Sequence, residues 1–292
     1  MTELGLKHSQ FLVDRKEGWA GTGDWSLFSL PLDTVYSAAA RWKEQLGDVE
    51  KPWLCWNIND RWCVLQQKML LEVGWTPVIG SDPRVNSCTV LPGAVRIDFN
   101  EQFGFPIMWP HFPLEFTFLF APRLAFWHSD LLCRIEKLRT IAQMFERLRD
   151  GEIAAVLSKG GIRNLVNFKN HRYWELISCI TKAASEDQFR RGAGWWRNFA
   201  LHPSCTDAGE RARRQQYNYD SGVGILYWKN EYNGRVTNIS ERFVKEGHCT
   251  AINRQNYRYL GGDNVHRPVG DELDANYDLA QVAQRLGLSH LL

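Results

Sequence analysis

The chain has 292 residues, 44% of them apolar and 23% charged, which is enough apolar material to bury a full core and excludes a disordered tail protein. Lys and Arg number 35 against 33 Asp and Glu, a formal net charge of +2, so affinity built mainly on neutralising a phosphate backbone is excluded and no nucleic-acid partner is expected. The unusual count is 13 Trp, each a large apolar ring whose indole N–H needs a partner when buried.

The N-terminal stretch mixes acids, bases and short apolar runs, so no signal peptide is read there. The most apolar segment, Phe112 to Trp127, is interrupted by Pro113, Glu115, Pro122 and Arg123, whereas a membrane span needs about 20 mostly apolar residues. Cysteines at 55, 63, 88, 133, 179, 205 and 249 form an odd set without C-x-x-C spacing, and reduced thiols in a cytoplasmic protein are expected. With no repeat, low-complexity tract or linker, the sequence reads as one domain over 1–292.

In chain order, Val35, Ala38, Ala39, Trp42 and Leu46 form an apolar stripe at helical spacing, with Asp33 as N-cap and Gly47 as stop. Trp53 to Ile58 suits a buried strand. Asp60 to Val73 carries Trp62, Leu65, Met69, Leu70 and Val73 on one side and ends at Gly74, before a strand at Thr76 to Ile79. Strand, helix and strand make a βαβ unit with parallel pairing. Arg123 to Trp127 is another strand; it runs into His128-Ser129-Asp130 and a helix marked by Leu131, Leu132, Ile135, Leu138, Ile141, Ala142, Phe145 and Leu148. Ile153 to Leu157 is a strand, Trp174 to Thr181 fits strand or helix, Gly222 to Trp228 is expected as a strand, and Tyr277 to Leu286 as a terminal helix. Alternating elements of this kind predict an α/β fold with a mixed, mostly parallel sheet flanked by helices. Ligands gather at the carboxyl ends of such strands, which puts His128, Ser129, Asp130 and the Asn57 to Asp60 turn at a cleft.

An apolar strand ending in a short polar triplet with Asp, then a helix, resembles the metal-binding region of GT-A-fold nucleotide-sugar transferases (glycosyltransferases). The family's triplet is typically Asp-x-Asp or a variant keeping one acid; here it is His128-Ser129-Asp130. The βαβ unit from Trp53 to Ile79 looks like the family's nucleotide-binding opening. Tyr219-Asp220-Ser221-Gly222-Val223-Gly224 looks like its acceptor-side segment, and His248 stands where several of its members supply a late metal-binding His. The resemblance implies a GT-A-like fold and transfer of a sugar from a nucleotide-sugar donor to a carbohydrate or other acceptor. It implies a divalent metal, Mn²⁺ or Mg²⁺, held by His128, Asp130 and His248, with Asp220 as the catalytic group near the acceptor. Carboxylate and imidazole both suit Mn²⁺, which would offset charge on the diphosphate leaving group.

Further candidates come from the residues themselves. Arg190, Arg191 and Arg197 carry planar guanidinium groups that could pair two phosphate oxygens each, and Trp195 and Trp196 offer flat faces to a sugar or base. Asn57 completes the substrate-binding set. Each has a structural counterpart: Asp130 as N-cap of the following helix, His128 and His248 as satisfied core histidines, and Asp220 as turn chemistry. Two other functions compete, a catalytically inactive carbohydrate- or nucleotide-binding protein on the same fold, and a thiol enzyme using Cys249 beside His248.

Overall fold

The computed structural model describes residues 10–14, 27–104, 108, 110–158, 172–195, 207–214, 216–217, 222–249, 270, 274 and 277–292. Strands β1 (Gln10–Asp14) and β2 (Leu27–Pro31) pair antiparallel as a separate ribbon. The chain continues through α1 (Leu32–Leu46), β3 (Pro52–Asn57), α2 (Asp60–Glu72), β4 (Thr76–Ser81) and β5 (Val95–Arg96). Then come α3 (His111–Glu115), α4 (Thr117–Phe120), β6 (Arg123–Trp127), α5 (Ile135–Glu146), β7 (Glu152–Ser158), β8 (Arg172–Thr181) and α6 (Lys182–Arg191). The last elements are α7 (Ala208–Arg214), α8 (Val223–Tyr232), β9 (Arg235–Ile239), 3-10 turns at Glu241–Phe243 and Lys245–Gly247, α9 (Leu279–Leu286) and a 3-10 turn at Ser289–Leu291.

Seven strands form one mixed sheet in the order β5-β4-β3-β6-β8-β7-β9. Only β8 runs against its neighbours; the other strands share one direction. From β3 the chain moves outward to β4 and β5, and it then returns to lay β6 on the other side of β3. That reversal is the topological switch point, and in open α/β sheets ligands gather beyond the carboxyl ends of the strands at such a point, here β3 and β6.

Both sheet faces are covered, and side chains alternate between them as strand geometry requires. Leu54, Trp56, Leu124 and Phe126 face one core with residues of α1, α3, α4, α6 and α8, while Trp53, Cys55, Ala125 and Trp127 face a second core with residues of α2, α5 and α9. Most of the tryptophan surplus is spent here: Trp42, Trp53, Trp56, Trp62, Trp75, Trp127 and Trp195 are all fully buried. Trp42 alone meets Phe99, Phe112 and Phe120 edge to face, with centroids 5.1, 6.3 and 5.6 Å away.

Local capping explains why the early βαβ unit forms where its sequence predicts. Asn59 accepts a hydrogen bond from the Trp62 amide at the start of α2, and Gly47 and Gly74 take positive φ just past α1 and α2. Three expectations are corrected. Asp33 lies inside the first turn of α1 and not before it. Asp130 caps no helix, because α5 begins only at Ile135, with Arg134 at its N-cap position, and residues 131–134 are not helical. Gly222 to Trp228 is not a strand: Gly222 in the left-handed region opens α8, whose residues Val223 to Trp228 are all buried. Six consecutive buried positions carry no period that separates helix from strand. The undecided segment Trp174 to Thr181 is strand β8. No helix among the described residues is long and apolar enough to cross a membrane.

Truncating Trp42 to Ala removes the centre of the aromatic cluster and is expected to cost about 3–5 kcal/mol of unfolding free energy in urea titrations. A loss below about 1 kcal/mol would contradict its place in the core.

Candidate metal centre

His128 leaves the end of β6 at the switch point, held by its amide hydrogen bond to the Leu176 carbonyl of β8 at 3.0 Å. Two residues on, Asp130 lies in the turn closed by the Leu131 amide donating to the His128 carbonyl at 3.1 Å, and the backbone from there pairs with a segment much later in the chain. The Cys249 amide donates to the Asp130 carbonyl at 2.9 Å, the Leu132 amide donates to the Gly247 carbonyl at 3.0 Å, and Leu131 bridges antiparallel to His248. Gly247 permits this approach, since a Cβ there would overlap the Leu132 carbonyl oxygen. Backbone pairing thus fixes His248 beside Asp130.

The side chains converge. Asp130 Oδ1 stands 3.3 Å from His128 Nδ1 and 3.6 Å from His248 Nε2. One ligand atom from each of the three lies within 4.8 Å of the others. An ion with bonds of about 2.0–2.2 Å holds neighbouring donors roughly 3.0–3.6 Å apart, so both measured separations fit a shared cation. Two imidazoles and one carboxylate suit Mn²⁺ and later first-row divalent ions better than Mg²⁺, which prefers oxygen donors.

Behind these three lies a second pair. Glu175 Oε1 is 3.4 Å from His128 Nε2 and 3.7 Å from His111 Nε2, at the start of α3. The His128 ring therefore stands between two carboxylates, one at each nitrogen. Burial by itself would lower its pKa, but Asp130 and Glu175 outweigh that and lift it from 6.5 to about 9. Burial would likewise raise the Glu175 carboxyl, yet His111 and His128 hold it well below the usual carboxylate range. His248 moves the other way: burial pushes it below the ordinary histidine value, so it offers a lone pair without a competing proton.

The remaining predicted site residues lie elsewhere. Asn57 ends β3, where it is fully buried and its amide donates to the Ser87 carbonyl at 2.8 Å; its side chain holds the loop after β4 and is not exposed to a ligand. Trp195 is 1% exposed and packs edge-on against Phe126 at 5.0 Å, so its ring belongs to the core and forms no open wall. Arg190 and Arg191 occupy the last turn of α6, paired with Glu186 and Asp187 at 2.6 and 3.0 Å, and Arg191 also lies over the Tyr232 ring. Such i,i+4 pairs are ordinary helix chemistry. Asp220, Trp196 and Arg197 lie outside the described residues. Cys249 serves through its backbone: burial pushes its thiol up to about 11, which leaves no thiolate for nucleophilic chemistry.

Glu175 and His111 escaped the sequence reading. The one available signal was a single acid inside an otherwise buried strand, Tyr173-Trp-Glu175-Leu-Ile-Ser-Cys-Ile180. In comparisons with known proteins, no family model and no curated protein matches the chain.

A cation needs the neutral form of His128, whereas the ion-free ring keeps its proton up to about pH 9. Affinity for Mn²⁺ is therefore expected to rise about tenfold per pH unit from neutrality towards 9 and then level off. Linkage fixes the matching sign for ion-free stability: the raised value of about 9 against 6.5 unfolded gives a contribution present below 6.5 and lost as pH rises through 9. Calorimetric Mn²⁺ titrations across this range check it, and an affinity independent of pH would contradict it.

Proposed function

We propose that the chain is a GT-A-type glycosyltransferase that binds a nucleotide-sugar donor through a divalent cation held by His128, Asp130 and His248. The observation that carries this reading is the convergence of those three side chains at the carboxyl end of β6, beside the switch point between β3 and β6. The strand-triplet-helix pattern and the late histidine suggested by the sequence are far apart along the chain, and their meeting needs the pairing of residues 130–132 with 247–249. A mixed, mostly parallel sheet with helices on both faces and an opening βαβ unit accords with the same family.

In this reading the cation, when bound, offsets the negative charge that grows on the diphosphate leaving group. Asp130 supplies the anionic donor and cancels part of the cation's charge. His248, kept neutral by burial, supplies a nitrogen lone pair, and His128 supplies another once its proton has gone. Asn57, at the carboxyl end of β3, fixes the loop beyond β4. Asp220, on the segment leading into Gly222 and α8, is the group proposed to act on the acceptor hydroxyl.

Titration of the full chain with uridine and guanosine diphosphates, with and without Mn²⁺, tests this. Mn²⁺-dependent binding is expected, and Asp130→Ala should weaken it by more than about tenfold. Binding of neither nucleotide under either condition, or equal binding by Asp130→Ala, would overturn the assignment.

A further inference from the structure

A buried carboxylate is costly unless something holds it, and a core of this quality could have used an apolar side chain at the same place. Glu175 is only 9% exposed, and its Oε2 has no hydrogen-bond partner among the described residues. Its place in the fold is specified by an irregularity of the sheet. On β7, Ala155 faces Ser178 of β8, yet the next residue, Val156, faces Trp174. Glu175, Leu176 and Ile177 therefore have no opposite number on β7. The same stretch stays in register with β6, through Trp127 opposite Ile177 and the His128 amide on the Leu176 carbonyl. A bulge of this kind re-aims a side chain, and here it brings Glu175 alongside His128 at the end of β6.

The consequence for His128 is directional. Its two ring nitrogens are not equivalent: Nε2 faces Glu175 Oε1 at 3.4 Å, and Nδ1 faces Asp130 Oδ1 at 3.3 Å. A neutral imidazole keeps one N–H and offers one lone pair; once a cation engages Asp130 on the Nδ1 side, Glu175 is the carboxylate left to take the N–H, at Nε2. We infer that Glu175, steadied from behind by His111, is a positioning residue that fixes the His128 proton on Nε2 and turns the Nδ1 lone pair toward the site shared with Asp130 and His248. The inference rests on the metal reading above and adds to it the group that orients one ligand. Outer carboxylates of this type keep a ligating imidazole in one tautomer and raise its basicity. His111 approaches Glu175 Oε1 at 3.7 Å, the same oxygen that faces His128, so the carboxylate is held at one end by two imidazoles.

The test measures Mn²⁺ affinity by electron paramagnetic resonance for the full-length wild type, Asp130→Ala, Glu175→Gln and Glu175→Leu. In parallel, ¹⁵N NMR reads the His128 ring in the Zn²⁺-loaded wild type. The wild type is expected to bind Mn²⁺ and to show Nε2 protonated and Nδ1 metal-bound. Glu175→Gln keeps an acceptor for Nε2–H and should lose about tenfold in affinity, whereas Glu175→Leu should lose closer to a hundredfold. A purely structural role for Glu175 would move the unfolding midpoint without separating Gln from Leu in affinity, and that result overturns the inference. So does metal on Nε2 in the wild type, a result that does not depend on any variant folding. If Asp130→Ala fails to bind while both Glu175 variants bind like the wild type, the positioning role falls and the metal reading stands. If the wild type binds neither ion, both fall together.

Discussion

Ionisable groups that are buried together must satisfy one another, and that constraint governs the carboxyl edge of this sheet. His111, Glu175, His128, Asp130 and His248 form a continuous run of alternating imidazoles and carboxylates, with successive contacts of 3.7, 3.4, 3.3 and 3.6 Å. Removing any one carboxylate leaves a buried imidazole with less to oppose its charge. The surrounding architecture supplies each member separately: α3 brings His111, the reversed strand β8 brings Glu175, the end of β6 brings His128 and Asp130, and a backbone pairing brings His248. The reversal of β8 matters because it places the start of a strand, where Glu175 lies, level with the ends of its antiparallel neighbours β6 and β7.

The hydrophobic structure holds this polar edge in place. Two aromatic cores lie on either side of the sheet, and the ring of Trp127, the residue before His128, packs at 5.3 Å from Trp53 in one of them. Phe126 is locked by Trp195 in the other. The strand that delivers the triplet is thereby clamped on both faces, which restricts where His128 can point. The tryptophan surplus is thus chiefly a packing device, and its contribution to a site is rigidity at the end of β6.

The fold was legible where local signals agreed. Residues 33–79 combine helical spacing, terminal glycines and short apolar runs, and α1, β3, α2 and β4 form within a few residues of those marks. Legibility failed at α8, where burial on all sides erased the periodic pattern, and at Asp130, where a plausible cap preceded four non-helical residues before the helix began. The site divides in the same way. His128 and Asp130 stand together in a strand-end triplet, but nothing local links them to His248; only the resemblance to a metal-binding family suggested that pairing. Glu175 and His111 were out of reach because a sheet bulge and a short helix create their contacts, and the lone acid at 175 in an apolar run does not say what it meets. Trp195 and Asn57 misled for a related reason: an aromatic beside glycines and an amide at a strand end look available to a ligand until tertiary packing covers them.

The most direct test of the account is anomalous diffraction from crystals of the full chain soaked in Mn²⁺. The account predicts an anomalous peak bonded to His128 Nδ1, Asp130 Oδ1 and His248 Nε2, with the His128 Nε2 still directed at Glu175. A structure in which Mn²⁺ occupies other residues, or leaves these three side chains in their ion-free pairing, would contradict it.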